Sequence, residues 1–93
     1  MYDVLYINND IQMISVCQIK AARSMLNWSA AELAKVSGVG PATIRRYEMQ
    51  VGIPSSNTSI LLSIQTTLED AGIEFIGDPL VNPGVVLSLK RNT

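Results

Sequence analysis

The sequence predicts one small, mainly α-helical domain of about four helices that ends in a β-hairpin. Its 93 residues, 47% of them apolar, suffice for a single hydrophobic core. Apolar residues recur at intervals of three and four between residues 16 and 71, which is the period of amphipathic helices. After Gly72 the pattern changes to short β-branched runs separated by glycine and proline. We therefore expect a helical domain at 13–72 and a hairpin at 73–93.

Composition excludes several kinds of functional site. The chain has one cysteine and no histidine, so an intramolecular disulfide, a zinc finger and imidazole chemistry are excluded. It has neither a phosphate-binding glycine loop nor an evident pair of carboxylates, so we expect no enzyme and no cofactor. No apolar run approaches the length of a membrane span and no secretory signal is evident, so we expect a cytoplasmic protein without membrane contact. Cys17 is expected to be a small buried residue of the first helix.

Residues 1–12 are predicted to form an N-terminal arm or strand. Tyr2, Val4 and Tyr6 alternate with other residues in a way that favours a strand, and Asn8 to Asp10 then favours a turn. Such a strand would pair with the C-terminal strands or cross to a second subunit; the alternative is a poorly ordered extension.

The first helix is predicted at about Val16 to Leu26, with Ser15 as its N-cap. Its apolar stripe consists of Ile19, Ala22 and Leu26. Three polar residues lie off that stripe: Gln18, Lys20 and Arg23. Trp28 follows the helix, at the position of a hydrophobic staple for the next one.

Two further helices are joined by a tight turn. Ser29 and Glu32 have the spacing of a capping box, which opens a helix of about Ala30 to Val36. Gly38 ends it, because glycine tolerates the positive φ that an abrupt stop requires. Pro41 suits the first turn of the next helix, predicted at about Pro41 to Met49.

The spacing of three residues indicates how these helices cross. Ala34 is small enough for two helix backbones to approach, Gly38 makes the turn, and Ile44 returns an apolar side chain to the crossing. An ordinary pair of antiparallel helices is the alternative. With its flanks, the stretch resembles the lambda-repressor-like family (Cro/C1, XRE-type) of bacterial and phage DNA-binding regulators.

The resemblance implies sequence-specific binding of double-stranded DNA, with the helix at about 41–49 in the major groove. It also implies an ion pair between Arg23 and Glu48 that joins the first helix to the end of this one. The residues that it places at the DNA are Ser29, Gly40, Pro41, Ala42, Thr43, Arg45 and Arg46. Arg45 and Arg46 are the strongest candidates, because arginine binds guanine or phosphate with two hydrogen bonds.

One departure from the family concerns specificity. Many members begin the first motif helix with glutamine, where this chain has Ala30, and few polar residues open the second. Direct contacts to bases therefore look sparse, which favours binding as a homodimer, with DNA shape contributing to specificity.

Charge is unevenly distributed. The whole chain carries a formal charge of −1, but residues 16–49 contain five cations and two carboxylates, a net +3. The four charged residues of 57–78 are all acidic. Because phosphate contact depends on the local field, the basic end remains compatible with DNA binding.

The last helix is expected to begin with a cap at Asn57, Thr58 or Ser59 and to reach about Ala71. Its apolar stripe is Leu61, Ile64, Leu68 and Ala71, and its water-facing residues are Gln65, Glu69 and Asp70. Strands are predicted at Ile73 to Ile76 and Val85 to Leu89. The hairpin would join two copies as a homodimer or pack on its own helix, and an acidic helix beside an apolar hairpin also suits a protein partner, as in an antitoxin or accessory subunit.

Overall fold

The computed structural model describes residues 13–55 and 57–89 and shows four helices followed by a two-stranded antiparallel sheet. In chain order, the elements are α1 (Val16–Leu26), α2 (Ala30–Ser37), α3 (Pro41–Glu48), α4 (Thr58–Asp70), β1 (Ile73–Ile76) and β2 (Gly84–Leu87). The predicted fold class, mainly helical with a C-terminal hairpin, is confirmed. The arm predicted at 1–12 lies outside the described residues.

Helix and strand bounds agree with the sequence to within two residues. α1 and β1 have the predicted limits, whereas α2 extends to Ser37 and α3 stops at Glu48. β2 is shifted toward the loop, since it begins at Gly84 and ends at Leu87. Differences of this size are usual at element ends, where hydrogen bonding becomes irregular.

Short-range hydrogen bonds explain where the helices begin. The amide of Glu32 donates to Ser29 Oγ at 3.0 Å, and the amide of Ser29 donates to Glu32 Oε1 at 2.8 Å. This reciprocal pair satisfies two amides that the helix itself leaves unpaired. At α4 the cap is Asn57, whose side chain accepts from the amide of Ser59 at 2.9 Å.

The core lies where the four helices meet, and the hairpin closes it. Its buried residues are Ile14, Ile19, Ala22, Leu33, Ala34, Ile44, Tyr47, Leu61, Ile64, Leu68 and Ile73. Trp28 is partly buried against this cluster, as the staple position predicts. Alternate hairpin residues also pack against it: Phe75, Val85 and Leu87. The hairpin thus packs on its own domain, β1 against α4 and β2 against α1.

Two predictions of burial are wrong. Gln65 was expected to face water but is only 8% exposed, whereas Cys17, expected to be buried, is exposed. Gln18, which lies off the predicted apolar stripe, is also buried, at 2% exposure. For Gln18 the reason is that β2 covers this side of α1, so its amide meets strand carbonyls instead of water. Cys17 lies about 100° around the helix from Gln18, at the edge of a cleft between α1 and the hairpin, where its side chain stays exposed.

Candidate nucleic-acid interface

The turn between α2 and α3 sets the angle of the motif. Gly38 has φ +79°, and its amide donates to Ala34 O at 2.9 Å, which closes α2. A Cβ placed on Gly38 would meet no atom within 4 Å. Glycine is therefore required here for its backbone conformation and not for space. Two residues later Gly40 is the N-cap of α3, and Pro41 occupies the first turn.

The crossing of α2 and α3 is buried as the spacing predicts. Ala34 is 5% exposed and Ile44 1% exposed, with Leu33 completely buried beside them. A small side chain on one helix and a branched one on the other allow the backbones to approach closely. Tyr47, also 1% exposed, extends this inward face of α3 by one turn. The opposite face of α3 is thereby directed outward.

The outward side of the motif carries the residues predicted to contact DNA. Six of them are exposed and Thr43 is half-buried; the exposed ones are Ser29, Gly40, Pro41, Ala42, Arg45 and Arg46. In the described part of the chain, no carboxylate forms a salt bridge with Arg45 or Arg46. The Arg46 guanidinium lies 5.6 Å from the centre of the Tyr47 ring, which holds it beside α3. Both cations are thus available to an anionic ligand.

An ion pair fixes the C-terminal end of α3. Arg23 donates to both carboxylate oxygens of Glu48, through Nε at 2.8 Å and Nη2 at 2.7 Å. Its Nη1 donates to Trp28 O at 2.9 Å, just before α2 begins. The side chains are 22% and 11% exposed. The hydrogen bond to Glu48 raises the pKa of Arg23 above its usual value, so the guanidinium stays charged and joins α1 to the end of α3 and to the segment before α2.

Comparison with known proteins identifies the family to which this helix-turn-helix motif belongs. A family model described as helix-turn-helix matches residues 19–65, which is half of the chain. The chain belongs to the lambda-repressor-like, Cro/C1-type helix-turn-helix family. No curated protein matches it.

The family match supports a DNA-binding regulator in general terms. It extends from α1 into α4 and stops before the hairpin. Among the described residues, no helix is long and apolar enough to cross a membrane, and no group of acidic, cysteine or histidine side chains is arranged to hold a metal ion.

Sequence reasoning missed two exposed apolar residues directly after α3. Met49 is 83% exposed and Val51 94% exposed. The loop that carries them is fixed at both sides, since Gln50 Oε1 accepts from the amide of Ser55 at 2.8 Å and Gly52 O accepts from the amide of Val16 at 2.8 Å. The only available signal was the absence of apolar periodicity between Glu48 and Pro54.

Proposed function

We propose that this chain binds double-stranded DNA sequence-specifically, as a homodimeric transcriptional regulator of bacterial or phage type, with α3 in the major groove. The observation that carries the proposal is the arrangement of α3. Ile44 and Tyr47 are buried and hold one face of the helix against the core. Arg45 and Arg46 are exposed on another face, and neither forms a salt bridge within the described residues. A helix held in this way can enter a groove without disturbing the core.

The exposed residues of the motif suit distinct contacts. Arg45 and Arg46 can each donate two hydrogen bonds to guanine O6 and N7 or hold a phosphate. Ser29 accepts from the amide of Glu32 through its oxygen, so its hydroxyl hydrogen remains for a phosphate. Ala42 can touch a thymine methyl, and Thr43 can bind a phosphate.

A homodimer follows from the small number of contacts that can distinguish bases. A bidentate arginine contributes about 1–3 kcal/mol of discrimination, so two per subunit give modest specificity. Two copies on a palindrome double that number. The hairpin supplies a suitable surface, because five large apolar residues are exposed on its described part, up to residue 89: Ile76, Leu80, Val81, Val86 and Leu89.

The test combines selection of bound sequences from random duplex DNA with measurement of oligomeric mass. We expect a palindromic consensus and the mass of a dimer. Arg45→Ala and Arg46→Ala should each lower affinity by about 1–3 kcal/mol per subunit, and the one that contacts phosphate should reduce the salt dependence by about one counterion per subunit, which is about two for the dimer. Lys20→Ala is the matched control, because it removes an exposed cation from α1 and should leave affinity within about twofold. Wild-type protein without salt-dependent affinity for any duplex would refute the proposal.

A protein-interaction module is the second candidate. The apolar loop of the hairpin favours it, since Leu80 is 64% and Val81 78% exposed. The double substitution Leu80→Ser and Val81→Ser leaves the buried strand residues intact. If it releases a co-purified partner while the protein remains folded, the interaction role is supported; if it only converts dimers to monomers, the surface serves a second copy.

A further inference from the structure

The side chain of Gln18 lies between the first turn of α1 and the hairpin. It is 2% exposed. Its Oε1 accepts from the amide of Ser15 at 3.0 Å, which closes the N-terminal turn of α1. Its Nε2 donates to Ile76 O at 3.2 Å and to Gly84 O at 3.0 Å. One carboxamide therefore joins α1 to both strands at once.

The two carbonyls that Gln18 binds belong to one rung of the sheet. Ile76 and Gly84 face each other in the antiparallel register, at the end of the hairpin that carries its loop. The two hydrogens of a carboxamide lie in one plane at a fixed angle. Because hydrogen bonds weaken steeply when they bend, this fork fixes the rotation of the hairpin about α1 as well as its distance.

Among the residues that the structure describes, the other contacts between the strands and the core are apolar. Phe75, Val85 and Leu87 pack against the cluster with their side chains. Such burial depends on the area removed from water and has no preferred direction, so it tolerates small rotations. We propose that Gln18 is a positioning residue, which sets the orientation of the hairpin relative to the helix-turn-helix unit.

A consequence for DNA recognition follows, and it rests on the proposed function. If two copies associate through their hairpins, the distance between their α3 helices depends on the orientation of each hairpin relative to its own helices, which Gln18 sets. Half-sites of such dimers lie about one helical turn apart, roughly 34 Å, and a duplex tolerates little error in that distance. Gln18 therefore determines which half-site spacing the dimer accepts.

The experiment compares two duplexes. One is the palindrome selected by the wild-type protein, and the other is the same palindrome with one base pair added at its centre. Gln18→Met removes the two hydrogen bonds to the hairpin carbonyls and the two that Gln18 accepts from Ser15, at nearly constant side-chain length. Gln65→Met is the matched control, because Gln65 is also a buried glutamine but donates to Glu69 on its own helix.

For Gln18→Met we expect the ratio of the two affinities to fall by about three- to tenfold, the net value of one such hydrogen bond, with dimer mass and half-site sequence retained. Gln65→Met should keep the wild-type ratio. A residue with a merely structural role would lower both affinities equally, so an unchanged ratio for Gln18→Met, or an equal fall for Gln65→Met, overturns the inference.

Failure of the proposed function is distinguishable from failure of this inference. Wild-type protein that selects no palindrome refutes the dimeric regulator, and the spacing role with it. Wild-type protein with a spacing preference that Gln18→Met retains refutes the spacing role alone. Should Gln18→Met not fold, Gln18→Asn is measured instead, since it keeps the amide but reaches one methylene less. If neither variant folds, the side chain is required for folding itself and the positioning role is overturned.

Discussion

The helix-turn-helix motif and the hairpin present opposite chemistry to solvent. The motif exposes two arginines on α3, Arg45 and Arg46, whereas the hairpin exposes Leu80, Val81 and Leu89. A cationic helix face suits phosphate and base edges, while an apolar loop suits another protein surface. The difference shows that a cationic surface and an apolar surface are built on separate elements of one small domain, which is the division that the proposed DNA binding and dimerisation would require.

The two regions are also held in different ways. Several contacts that shape the motif join residues three or four positions apart, such as Ser29 with Glu32 and Gly38 with Ala34. The hairpin is joined to the helices by apolar packing and by Gln18, which lies 58 and 66 positions before its hydrogen-bond partners in the strands. Substitutions in the two regions should therefore have different costs, and the following predictions test that difference.

The largest difference is expected for the same substitution made in each region. Ile44→Ala leaves a cavity at the crossing of α2 and α3, where Ile44 is 1% exposed, and should lower the free energy of unfolding by about 2–5 kcal/mol. Ile76→Ala truncates a side chain that is 44% exposed on the hairpin and should cost less than about 1 kcal/mol. Urea denaturation measures both. Equal losses would contradict the expectation that the exposed face of the hairpin contributes less to stability than the buried face of α3.

A somewhat smaller effect is expected at the ion pair. Glu48→Ala leaves the Arg23 guanidinium partly buried without its carboxylate, so we expect a loss of about 2–3 kcal/mol in the free energy of unfolding. Glu74→Ala removes an exposed carboxylate from β1 and should change stability by less than about 0.5 kcal/mol. Thermal and urea unfolding of both variants test this, and a loss for Glu48→Ala no larger than that for Glu74→Ala would contradict a structural role for the pair.

The charge of Arg23 in this ion pair should add no pH dependence to the free energy of unfolding near neutral pH. Because the pKa of Arg23 is raised in the folded state, its contribution to stability is complete below the unfolded pKa and is lost only as pH rises through the folded one. That range is strongly alkaline. Between about pH 5 and 9 this guanidinium should therefore add no pH dependence to the free energy of unfolding.

The smallest effect is expected at Ser29, where two substitutions distinguish a helix-capping role from a DNA contact. Ser29→Ala removes the acceptor for the Glu32 amide and should cost about 1 kcal/mol of stability. Ser29→Asp retains a capping oxygen, so stability should remain within about 0.5 kcal/mol of the wild type, but its charge should weaken DNA binding several-fold if Ser29 faces a phosphate. Comparison of unfolding and duplex binding for the two variants decides between these roles. Unchanged DNA affinity for Ser29→Asp would limit Ser29 to capping.

Much of the motif could be predicted because its determinants are close in sequence. Gly38 must end α2 since a positive φ is needed there, and Ala34 and Ile44 are placed at the crossing by helical periodicity alone. The strand pairing was also predictable in outline, because two short β-branched runs flank a loop of glycine and proline. The exposure of Arg45 and Arg46 follows from the same periodicity, as does the burial of Ile44.

The burial of glutamine could not be predicted in this way. Gln18 and Gln65 lie on predicted polar faces, and nothing near them in sequence indicates that another element covers them. The prediction that Cys17 is buried failed for the converse reason. Its residue type favours burial, but its side chain on α1 remains exposed. Burial of a polar residue depends on whether a distant group can pair with it, and for Gln18 that group is the backbone of the hairpin.

The helices, their caps and the turn between α2 and α3 follow from the sequence alone, because each depends on residues within about one helical turn of one another. The position of the hairpin, the face of α1 that it covers and its connection through Gln18 are set by tertiary contacts. Those contacts are apolar packing and hydrogen bonds between groups 58 and 66 positions apart, and sequence periodicity carries no information about pairing over such distances.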